Sequence, residues 1–346
     1  MEKSFTHSSI NTIKGLKYVD SNITGFSRIK KGKGFSFVDQ KQKPISDDKT
    51  LTRISSLVIP PNWTKVWICP YKTGHLQATG YDIKGRKQYI YHPKWKALRK
   101  EDKFAMLLPF ARGLDKLKKQ IRKDLKRKEI DLQKVTALAL QIMDLTSMRV
   151  GNQFYEKENG SFGLTTLKNR HLSIDKNRID FKYIGKKGVP QEKKITAKNL
   201  ASLLKKVKAI PGQQLFQFED SNQKIQQLDS GHLNAYLYHV YQQHITCKTI
   251  RTWNACYLCL ELFLNSEYSV DPKLRHKQAQ ESVKMVAKEL GNSQAIALKH
   301  YILPELIYQY EEGNLGNWIR KNKSSSKASK TKRIKDKLLK IIASNS

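Results

Sequence analysis

Acidic residues are scarce in this chain. Thirty Asp and Glu stand against sixty-five Lys and Arg in 346 residues, a formal net charge of +35. That excess points to a polyanionic partner and says nothing yet about chemistry. Cysteine is sparse too: Cys69, Cys247, Cys256 and Cys259 do not make a disulfide framework in a chain of this length. Cys256-x-x-Cys259 has a metal-like or redox-like spacing, but it lies in the helical-looking stretch 254–264 with no second ligand pair. It reads as buried structural thiols. No run of 18 apolar residues occurs, so no membrane-spanning helix is expected. The opening residues, Met1 to His7, have no apolar segment of the secretory kind, and a reducing cytoplasm is the expected compartment.

What is present is enough to fold. Hydrophobic residues make up 39% of the chain, with 15 Tyr, 12 Phe and 5 Trp, and the length suits two domains. The first 95 or so residues carry short alternating segments at 34–38, 65–69, 75–79 and 88–91, punctuated by Pro60-Pro61 and Gly85. Period-two alternation between turn residues predicts strands and hairpins. From about Lys94 the period becomes 3.6, predicting helices near 101–128, 132–148, 197–209, 230–244, 249–265, 273–290, 293–301 and 304–311. One β interruption is expected, at 172–175, 178–184 and 191–195, around the turn Gly185 to Gly188. The stretch 320–346 has ten Lys/Arg and one Asp after a serine-rich opening, and reads as a flexible basic tail with a partial helix at 334–342. The expectation is an α+β protein: a β-rich domain over 1–95, a larger mainly helical domain over 96–319, and a tail over 320–346.

Three settings stand out for chemistry. Tyr301 follows Lys299-His300 near the end of the helical region; Arg149 sits in Ser147-Met148-Arg149-Val150-Gly151; Arg251 sits in Thr249-Ile250-Arg251-Thr252-Trp253. A free phenol has a pKa of about 10, so only ~0.1% is ionised at pH 7, and nearby cations favour the phenolate. Two guanidinium groups can also grip the non-bridging oxygens of a phosphate in bidentate fashion and neutralise a five-coordinate phosphorus. The Asn292 amide offers a neutral donor, and Lys186, at a hairpin tip, offers a long titratable ammonium to protonate a leaving oxygen. Taken singly, each residue has an ordinary explanation as a solvated, salt-bridged or packed side chain.

Together these segments resemble the type IB DNA topoisomerases, in the compact branch shared by poxviruses and bacteria. The resemblance is carried by Ser147 to Asn152, Asn159 to His171, Phe181 to Lys186, Lys248 to Trp253, Leu290-Gly291-Asn292 and His300-Tyr301. In the N-terminal part it is carried by Ile59 to Trp63, Trp67 to Pro70, Gly74 to Gly80 and Gly85 to Pro93. It covers roughly residues 15 to 312, in the expected order. It implies that Arg149 and Arg251 are the two catalytic arginines, Lys186 the general acid and Tyr301 the nucleophile. Asn292, nine residues before the tyrosine, stands where poxviral members have histidine and bacterial ones asparagine. Arg86, Gln88, Tyr89 and Tyr91 match a strand that contacts DNA, and Tyr155 a further phosphate contact. For each of these five, packing against a neighbour is the competing reading. Asn152 and Phe154 stand where poxviral members carry lysines.

The implied reaction is transesterification on double-stranded DNA. A 3′-phosphotyrosyl link forms, a 5′-hydroxyl leaves, the free end swivels, and the strand is resealed without ATP. No Gly-x-x-x-x-Gly-Lys-Ser/Thr loop occurs, and no Asp-x-Asp pair of the Mg²⁺-holding kind, so neither cofactor nor metal is expected. The fold implied is that shared with tyrosine recombinases, with two domains closing as a clamp on DNA. A monomer is expected, with no membrane or small-molecule substrate, located with the nucleoid or, for a large DNA virus, in the virion. The basic stretch 112–128, nine Lys/Arg against two Asp, reads equally as a DNA-facing or a solvated helix face. The nearest alternative is a tyrosine recombinase. Lys248-x-x-Arg251, where those enzymes typically have His-x-x-Arg, and a strand-rich N-terminal region favour the topoisomerase. A catalytically silent DNA-binding protein is the remaining rival, against which all five site positions hold competent residues.

Overall fold

The computed structural model describes residues 15–344 except 18, 20, 22, 33, 84, 86, 96–103, 221 and 244. The chain divides into two compact units, Met1–Lys103 and Phe104–Ser346.

The first unit is built on an antiparallel five-stranded sheet. Its strands are β1 (Phe26–Lys31), β2 (Gly34–Val38), β3 (Thr64–Ile68), β4 (Leu76–Tyr81) and β5 (Lys87–Tyr91), in the order β2-β1-β3-β4-β5. Helix α1 (Asp48–Ser56) is capped by Asp47, whose carboxylate accepts the Thr50 amide at 2.8 Å. It contributes Ile54 to a small core with Val66, Ile68 and Ala78. The Pro60-Pro61 turn is held from β1: the Arg28 guanidinium donates to the Pro60 carbonyl at 3.0 Å and the Trp63 carbonyl at 2.6 Å. The predicted strands at 34–38, 65–69, 75–79 and 88–91 correspond to β2 to β5. Sequence reading missed β1, whose Ser27-Arg28-Ile29-Lys30-Lys31 lacks a buried alternation, and α1, whose nine residues bury only one side chain fully.

The second unit is mainly helical. Helices α2 (Leu107–Leu125) and α3 (Leu132–Thr146) are followed by the short α4 (Gln153–Asn159). Strands β6 (Leu172–Asp175), β7 (Arg178–Ile184) and β8 (Pro190–Thr196) form a three-stranded antiparallel sheet, order β6-β7-β8. Then come α5 (Lys198–Lys208), the small hairpin β9 (Gln217–Glu219) and β10 (Ile225–Gln227), and α6 (Ser230–Tyr241). The chain continues through α7 (Cys247–Asn265), α8 (Pro272–Leu290), α9 (Gln294–His300), α10 (Pro304–Glu311), α11 (Gly316–Asn322) and α12 (Lys327–Ser344).

Helix α2 is amphipathic: Leu107, Phe110, Leu114, Leu117 and Ile121 face inward at three- and four-residue spacing, leaving most of its cations outward. Gly113 lets it approach α6, because a Cβ there would lie 2.4 Å from the Tyr241 ring. Helix α3 is buried nearly all round, from Val135 to Met143, as a central core helix requires. The loop after it runs close to the loop before β6: a Cβ on Gly163 would lie 2.2 Å from the Val150 carbonyl oxygen.

The end of the chain differs from expectation. Residues 327–344 form α12, which buries Ile334, Leu338, Ile341 and Ile342 in the main core instead of extending as a flexible basic tail. Charge composition concealed a hydrophobic set at 334, 338, 341 and 342, the helical spacing that drives docking. The outward cations are partly tied down: Lys335 pairs with Asp115 of α2 at 2.9 Å, and Lys330 reaches Asn265 of α7 at 3.1 Å.

Candidate active site

Five loops or helix segments of the second unit carry the singled-out residues to one place. Helix α3 ends at Ser147 in the left-handed conformation (φ 53°), which turns the chain and presents Arg149. Helix α8 ends in a Schellman turn: Gly291 (φ 61°) donates to the Lys288 carbonyl at 3.0 Å and Asn292 to the Ala287 carbonyl at 2.8 Å. The left-handed φ favours glycine there, and the flexible end of the Gln191 side chain occupies the space a Cβ would take. The turn directs Asn292 at Arg149: the guanidinium donates to the Asn292 side-chain oxygen and, at 3.4 Å, to the Gly291 carbonyl.

Arg251 lies in the first half of α7 and is 3% exposed. It donates to the Leu290 carbonyl at 3.2 Å, and its guanidinium carbon lies 5.2 Å from the centre of the Tyr301 ring. Tyr301 ends α9, just before the buried anchors Ile302 and Leu303 and the helix-starting Pro304. The Cys256 thiol, buried in α7, donates to the Tyr301 carbonyl and accepts from the Leu303 amide, both at 3.3 Å. Sequence reading expected a buried structural thiol. Cys256 and Cys259 are indeed free and buried, and burial pushes the Cys256 thiol up to about 12.

Lys186 stands exposed at the β7–β8 turn. It lines one small cavity with Arg149, Arg251, Tyr183 and Lys193. The same lysine lies 6.0 Å from the centre of the Tyr155 ring, which α4 holds at the surface. The structure therefore brings Arg149, Lys186, Arg251, Asn292 and Tyr301 together, with Tyr155 beside them.

The electrostatics are unusual. Among the described residues neither Arg149 nor Arg251 has a carboxylate partner, although one of them is buried. Two further donors, Arg251 Nε and Asn292 Nδ2, are buried with no acceptor. Unpaired buried donors cost roughly 1–3 kcal/mol each, and an unpaired buried cation costs more. An anion entering the site would find these donors and cations free to bind it. Burial opposes ionisation of Tyr301, yet the charges of Arg251 and Arg149, helped by Lys248, outweigh it and hold the phenol below its usual range. Desolvation in turn lowers Arg251 itself.

Several contributors were given no role at the site by the sequence reading. Lys248, one helical turn before Arg251, acts on the nucleophile candidate through its charge. Lys193, almost buried, donates to the Glu289 carbonyl and pairs with its carboxylate at 2.5 Å, fixing β8 to the end of α8. Tyr183 lines the cavity. The period-two burial of Ile179, Phe181 and Tyr183 on β7 was the available signal for it.

The candidate DNA contacts Gln88, Tyr89 and Tyr91 lie on the edge strand β5 of the first unit. Tyr89 is 48% exposed and stacks on Tyr91, with ring centres 6.1 Å apart. The Gln88 amide donates to the Asp82 carboxylate at 2.9 Å. Arg86 lies outside the described residues. Among the described residues, no helix is long and apolar enough to cross a membrane. Among the same residues, no group of three or more His, Cys, Asp or Glu is placed to hold a metal ion.

The comparisons with known proteins show the family. The family described as "Eukaryotic DNA topoisomerase I, catalytic core" matches residues 92–315, about two thirds of the chain. That described as "Bacterial DNA topoisomerase IB, N-terminal domain" matches residues 34–82. The chain belongs to the DNA topoisomerase I family, as a compact type IB member. Among its relatives, the DNA topoisomerase 1B of Acanthamoeba polyphaga mimivirus is 29% identical over 296 residues, covering 83% of this chain and 88% of the viral protein. The DNA topoisomerase 1B of Vaccinia virus (strain Copenhagen) is 25% identical over 288 residues, covering 80% and 88%. Among solved structures, the XerH site-specific recombinase in its post-cleavage complex with a palindromic difH substrate aligns with a TM-score of 0.35 and 15% identity. It covers 59% of this chain and 50% of the recombinase, and a likeness that low carries no argument.

Proposed function

We infer that this type IB topoisomerase relaxes supercoiled duplex DNA through a covalent link to Tyr301. The observation carrying this reading is the set of cations without carboxylate partners gathered around one phenol whose ionisation they favour. The Tyr301 oxygen attacks a backbone phosphorus, the 5′-oxygen leaves, and a 3′-phosphotyrosyl ester forms. Arg149, Arg251 and the unpaired Asn292 amide hold the non-bridging oxygens as negative charge builds in the five-coordinate state. Lys186, on its exposed turn, delivers the proton that the leaving 5′-oxygen needs. One phosphodiester replaces another, so bond energy is kept and the broken strand swivels and reseals without ATP.

The first unit supplies backbone contacts through Arg86, Gln88, Tyr89 and Tyr91, and Tyr155 adds one beside the cleavage site. The positive charge makes affinity fall steeply with salt. The protein acts as a monomer and needs no metal. The test is relaxation of a supercoiled plasmid with EDTA present and ATP absent, by the parent chain and by Tyr301→Phe. Relaxation by the parent, with loss in the variant while DNA binding persists, is expected. Normal relaxation by Tyr301→Phe refutes the nucleophile, and a need for two cognate sites with tetramer assembly favours a recombinase.

A further inference from the structure

Strand β7 places three side chains on its inner face. Two of them, Ile179 and Phe181, are apolar and fully buried, as the core there demands. The third is Tyr183, 8% exposed, whose ring a phenylalanine would match in volume. Packing therefore explains the ring and leaves the hydroxyl unexplained. Among the described residues no protein group hydrogen-bonds that hydroxyl, so it is free to bind a ligand that enters the cavity. Tyr183 lines the cavity that also holds Arg149, Arg251 and Lys186. Its hydroxyl is thus a donor placed at the cavity of the two arginines, where Arg251 Nε and Asn292 Nδ2 are buried without an acceptor.

We propose that Tyr183 is a further catalytic residue, its hydroxyl donating a hydrogen bond to a non-bridging oxygen of the scissile phosphate beside the two arginines. The proposal rests on the reading of Tyr301 as the nucleophile. Two phenols then lie under the same pair of guanidinium groups with opposite tasks. Tyr301 is held below its usual range and becomes the attacking oxygen. Tyr183 keeps its proton: burial pushes it up to about 12, although Arg251 and Arg149 pull the other way. A neutral donor of this kind stays protonated throughout the range in which the nucleophile ionises, so it contributes to the anion's seat without competing as a second nucleophile.

The experiment is single-turnover cleavage of a duplex oligonucleotide by the full chain and by Tyr183→Phe. Each protein is given the normal phosphodiester and the two stereochemically pure methylphosphonates at the scissile position. Phenylalanine keeps the ring that packs, so the fold is retained, and thermal melting checks this. Losing one donor to a charged oxygen slows cleavage of the phosphodiester roughly 10- to 100-fold. The deficit is expected to shrink to about twofold on the one diastereomer whose methyl group replaces the oxygen Tyr183 contacts. Wild-type cleavage by Tyr183→Phe overturns the proposal, as does an equal slowing on all three substrates, which marks a packing effect. A Tyr301→Phe control separates the two readings. If it still forms the covalent adduct, the nucleophile assignment fails and the proposal with it. If it forms none, any failure at Tyr183 concerns Tyr183 alone.

Discussion

Replacing Arg251 by methionine separates two roles that a buried arginine can have. In a structural ion pair, removing one member costs about 3–5 kcal/mol, because the other charge is stranded. Arg251 is 3% exposed, has no carboxylate partner among the described residues, and leaves its Nε unpaired. Methionine removes a desolvated charge and forfeits one hydrogen bond to the Leu290 carbonyl, at 3.2 Å in the parent. Exchanging a buried ion for a hydrophobe of similar volume is neutral or stabilising by roughly 1–4 kcal/mol, and the lost bond subtracts about 1 kcal/mol. A net gain of about 1–2 kcal/mol raises Tm by roughly 2–8 °C in a unit of this size. Cleavage should move the other way. Losing a preorganised donor to the developing oxyanion slows the step by about 10²–10³-fold, or more when a full charge goes with it. Thermal melting and single-turnover formation of the DNA adduct measure the two effects on one preparation. A Tm lowered by more than about 5 °C would make Arg251 structural, and cleavage within about tenfold of the parent would remove it from the anion's seat.

Other perturbations test the same geometry. Because Arg251, Arg149 and Lys248 outweigh burial at Tyr301, its phenol ionises at lower pH in the folded protein than in the unfolded chain. That ionisation contributes stability and reactivity as pH rises through the folded value, and both are lost as pH falls through it. Arg149→Ala should shift the alkaline rise of the cleavage rate upward, and an unshifted profile contradicts the electrostatic account. Lys186→Ala should cleave an ordinary phosphodiester far more slowly, and recover on a 5′-thio leaving group that needs no proton. Failure of that rescue removes the general acid. Ending the chain at Ser326 exposes the seats of Ile334, Leu338, Ile341 and Ile342, each worth roughly 1.5–3 kcal/mol of burial before chain entropy is counted. A lowered melting temperature with lost cleavage is expected; unchanged melting would make α12 an appendage.

The helices with strong 3.6-residue periodicity were legible almost to their ends, as α3, α7 and α8 illustrate, because burial on one side or all round imposes the pattern. The β6–β8 sheet was legible from alternation around the Gly185 turn. Elements that bury little were not: β1, α1, the seven-residue α4 and the three-residue strands β9 and β10 leave almost no periodic trace. Helix α12 was misjudged because the ten cations of the stretch 320–346 masked four aliphatics at helical spacing. At the site, the residue types of Arg149, Lys186, Arg251, Asn292 and Tyr301 were readable from their motifs. Their convergence was not, because it depends on the left-handed Ser147, the Schellman turn at Gly291 and the Cys256 thiol beside the Tyr301 backbone. Tyr183 escaped notice because a tyrosine on an inward strand face looks like core until its hydroxyl is found without an acceptor.

The most direct test is to trap the covalent complex on a duplex whose cleaved end diffuses away, digest the protein, and map the modified residue. The account predicts a single phosphotyrosyl adduct on Tyr301, joined to the 3′ end of the cut strand and formed with EDTA present. An adduct on any other residue, attachment to the 5′ end, or the same adduct from Tyr301→Phe would contradict it.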